Sequence, residues 1–223
     1  QPEKASAADP VIRVLLTTTD FNSRYHQEIT VSYDGKEITY TAEEVKKQGD
    51  KVRIPAQKDG IRILSIQRQS GTPVYDGSIE IIPKAEGLII VNELFLEKYL
   101  TRVVPSEMPA TYEKEALKAQ AVCARNFIMK SNALKYEKYK ANADDSTDFQ
   151  VYNRIKPGKN SKKAAEETKG VVMTYKNKLI KAYYFSTSCG YTTDYKIWGK
   201  EKMNYLKGEN FTENSKRNVK NQW

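Results

Sequence analysis

The chain has 223 residues, long enough to bury a sizeable core without disulfide staples, and its 37 Lys+Arg against 28 Asp+Glu give a formal charge of +9. That balance favours an anionic partner, and no apolar run approaches the ~18 residues of a membrane span. His26 is the only histidine and Cys123 and Cys189 the only cysteines, so a Ser-His-Asp or Cys-His triad would rest on His26 and a short-spaced zinc cluster is excluded.

Residues 1–10, QPEKASAADP, are small, polar and broken by Pro2 and Pro10, which reads as a flexible tether left after removal of a signal or membrane anchor. From 11 to 91 the pattern is short β-rich runs: 11–16, 28–33, 37–41, 51–55, 61–66, 78–82 and 88–91. Asp34-Gly35 suits the positive φ values of a type I′ hairpin turn. This portion reads as all-β and antiparallel. Asn92 then suits the N-cap of a short amphipathic helix that Pro105 stops, and a longer helix is expected over 113–134, capped by Thr111. Residues 135–170 read as loop with a short helix at 162–169, and the turn Lys176-Asn177-Lys178 joins a hairpin of 171–175 and 179–185. The expected fold class is α+β, an antiparallel β-rich portion (11–91) followed by a mixed α/β portion (92–223) built around one long helix and a β-hairpin.

Carboxylate chemistry, or binding without chemistry, is what the inventory leaves. Glu107 stands between Pro105 and Pro109, on backbone that the prolines stiffen. Such a carboxylate suits a general acid, or a charge favouring the next helix N-terminus. On the long helix Lys118, Val122, Arg125 and Met129 share one face beside Leu117, Ala121 and Ala124. Those cations either meet a carboxylate or an anionic ligand, or lay their stems along apolar surface with their heads in water. The stretch 184–194, rich in hydroxyls and followed by Trp198, suits carbohydrate or a hydrogen-bonded turn. The acidic run 144–148 lacks the oxygen spacing of an EF-hand and reads, with 149–152, as turn plus strand.

Taken in order, LEKYLTRVVPSEMPATYEKEALKAQAVCAR (96–125), DSTDFQVY (145–152), TKGVVMTYKNKLIKAYYFSTSCGYTTD (168–194) and IWG followed by YLKG (197–208) resemble the stage II sporulation protein D family, which includes amidase enhancers of bacterial cell walls. The resemblance implies a lytic transglycosylase that cuts peptidoglycan glycan strands, with Glu107 as its acid/base, or a non-catalytic wall-binding enhancer of an amidase. It assigns Lys118, Arg125, Gln150, Tyr152, Ser186, Ser188 and Tyr191 to the substrate side; because cations beside Glu107 would lower the pKa that a general acid needs raised, the two are expected to face the lactyl carboxylate of peptide-stripped strands instead. It further implies a Cys123–Cys189 disulfide in an oxidising wall environment. No cofactor is expected; some relatives hold zinc through Cys and His, for which His26 is remote. The expected partners are glycan strands and an amidase, with no nucleic acid and no membrane contact except through an N-terminal anchor outside the chain. The expected location is extracytoplasmic, secreted or membrane-anchored, at the wall of a Gram-positive bacterium. Relatives also continue past the point matching Trp223, which implies either that the catalytic portion is truncated there or that this member of the family is short.

Overall fold

The computed structural model describes residues 2–4, 9–131, 136–185, 187–197, 199 and 203–210. The fold class is α+β, and the chain divides into two compact units, Gln1–Ala182 and Tyr183–Trp223. Strand β1 (Pro2–Lys4) pairs antiparallel with a later strand at Val171–Val172–Met173, so the expected tether includes a paired segment. Strands β2 (Val11–Leu16), β3 (Glu28–Tyr33) and β4 (Lys36–Thr41) follow. Asp34 and Gly35, at φ 48° and 69°, make the β3–β4 turn that the sequence predicts.

The β-rich portion is not free of helix. Helix α1 (Ala42–Gln48) starts at a capping box in which Thr41 and Glu44 satisfy each other's backbone N–H groups, and it buries Val45. After β5 (Val52–Ile54), β6 (Ile61–Ile63) and β7 (Val74–Tyr75), the long pair β8 (Ser78–Lys84) and β9 (Gly87–Phe95) forms the middle of the molecule. Strand β9 runs through Asn92 and across the boundary expected at residue 91, so Asn92 is a strand residue and not a helix cap. Its amide is instead buried, donating to the Asp76 and Ser78 carbonyls at 2.8 and 3.1 Å.

Helix α2 (Leu96–Glu107) begins where Asp9 Oδ1 accepts the Glu97 N–H at 3.2 Å, and it runs through Pro105 rather than stopping there. Pro105 lies near the C-terminal end, where the missing N–H interrupts only the last turn. Helix α3 (Lys114–Lys130) starts at Glu113, not Thr111. The stretch 149–152 forms no strand; the strand of this region is β10 (Ala143–Asp144), preceded by a short 3-10 turn at Glu137–Tyr139. Helix α4 (Lys159–Glu167) starts three residues earlier than predicted, and β11 (Val171–Tyr175) turns through Lys176 and Asn177, both at positive φ, into β12 (Lys178–Leu179).

The strands form a five-stranded sheet, β10-β2-β9-β8-β5, a four-stranded sheet, β4-β3-β6-β7, and a small sheet, β1-β11-β12. All named pairings are antiparallel except β10 with β2. Alternation along β2 sends Ile12, Val14 and Leu16 into the main core with Ile79, Ile81, Ile90 and the apolar sides of α2 and α3. Leu15, Ile89 and Val91 face the other way, against Tyr136 and Tyr139. Gly77 is required where β8 starts: a Cβ there would lie 2.2 Å from the Glu93 carbonyl oxygen, and its φ is 80°. No described helix is long and apolar enough to cross a membrane.

Candidate active site at the end of helix α2

Glu107 is the last residue of α2 and is half-buried, with its Oε1 accepting the Val151 N–H at 2.7 Å. That bond fixes how the carboxyl group turns. The preceding residue fastens the same two segments: Ser106 Oγ donates to the Arg102 carbonyl at 2.8 Å and accepts the N–H groups of Arg154 and Ile155 at 3.1 and 3.4 Å. Asn153, at φ 54°, turns the chain between them and donates through its amide to the Val74 carbonyl at 2.9 Å. Arg102 in turn meets Asp76 through Nε at 2.8 Å and Nη2 at 2.7 Å. These cross-links to 151–155 add to the stiffness that the flanking prolines give the backbone at Glu107.

Upstream, the 145–152 stretch is anchored through its polar side chains. Asp145 has no exposed side-chain surface; it accepts the Thr17 N–H and hydroxyl at 2.9 and 2.7 Å and pairs with Arg68 at 2.6 Å. Gln150 and Tyr152 are equally buried, which corrects their assignment to the substrate side. Gln150 accepts the Tyr99 hydroxyl at 3.2 Å, while Tyr152 donates to Asn92 Oδ1 at 2.6 Å and stacks on Tyr99 with centroids 5.0 Å apart. Both belong to the core that carries the site.

The two helix cations are also committed elsewhere. Arg125 is 1% exposed, its guanidinium forked onto Glu97 of α2 at 2.8 and 2.7 Å while Nη1 donates to the Val171 carbonyl at 3.0 Å. It ties α2, α3 and β11 together, which is the carboxylate alternative left open by the sequence. Asn126 extends the seam through the Met173 backbone and the Ile180 carbonyl. Lys118 lies between Glu115 and Glu167 at 2.9 and 3.0 Å. Hydrogen bonds from Lys114 and then Lys118 hold the Glu167 carboxyl at about 2. Neither cation has an ion pair with Glu107 in the structure, and both are satisfied by protein carboxylates.

Cys123 is half-buried on α3, where burial pushes its thiol up, and Cys189 is exposed in the second unit; each is a free thiol within its own unit. Within that unit Tyr183 and Tyr195 stack at 5.4 Å, Tyr191 bridges to Asn210, and Ser188 and Tyr191 are exposed. Ser186 and Trp198 lie outside the described residues. Among the described residues no group of three or more His, Cys, Asp or Glu side chains is placed to hold a metal ion.

Fold and site together define an α+β domain that presents an anchored carboxyl group from a helix end. Residues 84–175 match the family described as Stage II sporulation protein, so this stretch of the chain carries a domain of that family. An uncharacterized protein of Brachyspira hyodysenteriae is 32% identical over 205 residues, covering 85% of this chain and 55% of that protein. The stage II sporulation protein D of Bacillus amyloliquefaciens is 39% identical over 132 residues, 52% of this chain and 38% of the relative. The amidase enhancer of Bacillus subtilis is 42% identical over 93 residues, 42% of this chain and 12% of the relative. The chain thus spans about half the length, or less, of these relatives.

Proposed function

We propose that the protein is a peptidoglycan lytic transglycosylase of the extracytoplasmic wall, acting on glycan strands with Glu107 as general acid and base. The observation that carries this reading is the Glu107 carboxyl group, held by the Val151 N–H on a helix end that Ser106 clamps to the 153–155 turn. Hydrolytic glycosidases need two carboxylates, whereas a strand that supplies its own nucleophile needs one. Protonated Glu107 gives its proton to the glycosidic oxygen as the muramoyl C1–O bond breaks. The C6 hydroxyl of the same ring attacks C1 and returns its proton to Glu107, leaving a 1,6-anhydro-muramoyl end and a free C4 hydroxyl. Closure within one ring benefits from high effective molarity.

Incubation with peptide-stripped strands should yield 1,6-anhydro ends by mass spectrometry, and Glu107→Gln should lower their rate by about 10²–10⁴-fold. The match to an amidase enhancer favours a second reading, in which the domain binds the wall and stimulates an amidase without cutting glycan. Strand binding and amidase stimulation that survive Glu107→Gln, with no anhydro ends from the unaltered protein, would select it.

A further inference from the structure

The hairpin of β11 and β12 carries charge that the site around Glu107 does not use. From Thr168 to Thr193 the sequence holds no Asp or Glu, while Lys169, Lys176, Lys178 and Lys181 all fall within it. Lys176 and Lys178 are exposed and, among the described residues, pair with no carboxylate. Lys176 Nζ lies 5.7 Å over the ring of Tyr175, which is itself exposed. The elements packed against the hairpin do not offset this charge. Glu97 of α2, which reaches its base, is taken by Arg125 and by the Gly170 N–H. Strand β1 brings Glu3 and Lys4 together, and the last turn of α3 adds Lys130.

The tip is stiffly built. Lys176 and Asn177, at φ 49° and 59°, make a two-residue turn that sets Tyr175 opposite Lys178 and Thr174 opposite Leu179. Below the turn, Asn126 fastens both strands, accepting the Met173 N–H at 2.7 Å and donating to the Met173 and Ile180 carbonyls at 2.8 and 3.2 Å. Val172 is buried, so alternation puts Tyr175 on the outer face of β11, and its cross-strand neighbour Lys178 shares that face. Pro2 lies beside Met173 and Lys4 beside Val171, so β1 starts at the tip end of β11 and the chain ahead of Pro2 is directed towards the lysines.

We propose that this tip docks on a lipid surface of anionic, phosphate-bearing headgroups, with Lys176 and Lys178 among the headgroups and Tyr175 at the boundary of water and lipid. Lysine stems reach along apolar surface while their ammonium heads stay with water and phosphate, and a tyrosine ring with its polar hydroxyl suits the same depth. A bilayer fits better than a soluble polyanion because a two-residue turn offers no groove along which a polymer could run. The turn is already in place, so little ordering opposes the contact. This contact needs neither Glu107 nor glycan cutting.

The test is co-sedimentation of the chain with vesicles of phosphatidylcholine alone and with vesicles containing about one-third phosphatidylglycerol. Binding should be confined to the anionic vesicles and should weaken as salt is raised. Each lysine near such a surface is worth about fivefold in partitioning, so Lys176→Gln with Lys178→Gln should weaken binding about thirtyfold. Lys46→Gln with Lys47→Gln, which removes the same charge from the exposed side of α1, should leave it within about twofold. Both doubly substituted proteins are first shown to melt as the parent does. Equal binding to neutral vesicles, no vesicle binding, or equal losses from the two double substitutions overturns the inference. Retention on a soluble phosphodiester polymer without vesicle binding also overturns it, and assigns the lysines to a wall polyanion.

Discussion

Removing one member of the Arg125–Glu97 pair strands a charge inside the protein. Arg125→Met should therefore cost about 3–5 kcal/mol, read as a lowered urea midpoint. Replacing both residues with apolar ones of similar volume should recover most of that loss, because the buried charge is then gone as well. A residue that gripped substrate instead would lose binding without losing stability, so the denaturation curve separates the roles. The shared helix face of Lys118 and Arg125 was legible from spacing, as was the need of a buried arginine for an anion. That the anion is Glu97, 28 positions away on another helix, was not, because no local pattern encodes a tertiary partner.

At the scale of elements, the decisive contact is the staple between α2 and the 151–155 segment. Ser106→Ala leaves the N–H groups of Arg154 and Ile155 without their acceptor and should destabilise by about 1–3 kcal/mol. Faster hydrogen exchange at Val151, Arg154 and Ile155 than in the parent would report the loosening directly; unchanged protection would show that the prolines alone suffice. The strands and turns were the most readable elements, because alternation and the residues at Asp34-Gly35 and Lys176-Asn177 act locally. Asn92 and Pro105 misled for the converse reason. Asn92 is a good cap in isolation but finds three partners inside the sheet, and Pro105 is a helix breaker tolerated in a terminal turn. Gln150 and Tyr152 look like exposed polar contacts in sequence, and their burial follows only from the packing of Tyr99 and Asn92 around them.

For the whole molecule, acid should act in two stages. Burial holds the His26 imidazole below its usual 6.5, outweighing the Leu16 carbonyl and Asp145, with Arg68 adding to the depression. The folded form then binds fewer protons than the unfolded chain, so stability falls as pH drops through 6.5. Against burial that would raise it, hydrogen bonds from Arg13, Lys51 and Arg53 hold Glu80 at about 2 instead of 4.5. Its contribution is present above 4.5 and is lost as pH falls towards 2. Urea midpoints followed from about pH 8 to about pH 3 should show both stages, and His26→Gln should remove the upper one alone. An upper stage that persists in that variant must come from another group.

Residues 14 and 15 hydrogen-bond in parallel with 143 and 144, so the first long strand waits for a segment made more than half a chain later. Closing so large a loop is slow relative to local hairpins. The parallel seam also positions the stretch whose Val151 amide orients the Glu107 carboxyl group, which makes that orientation a late product of folding: a nascent or half-refolded chain has the glutamate but not its aim. In stopped-flow refolding, protection of the Val151 amide that holds Glu107 should lag hairpin formation and coincide with the final burial of Tyr152.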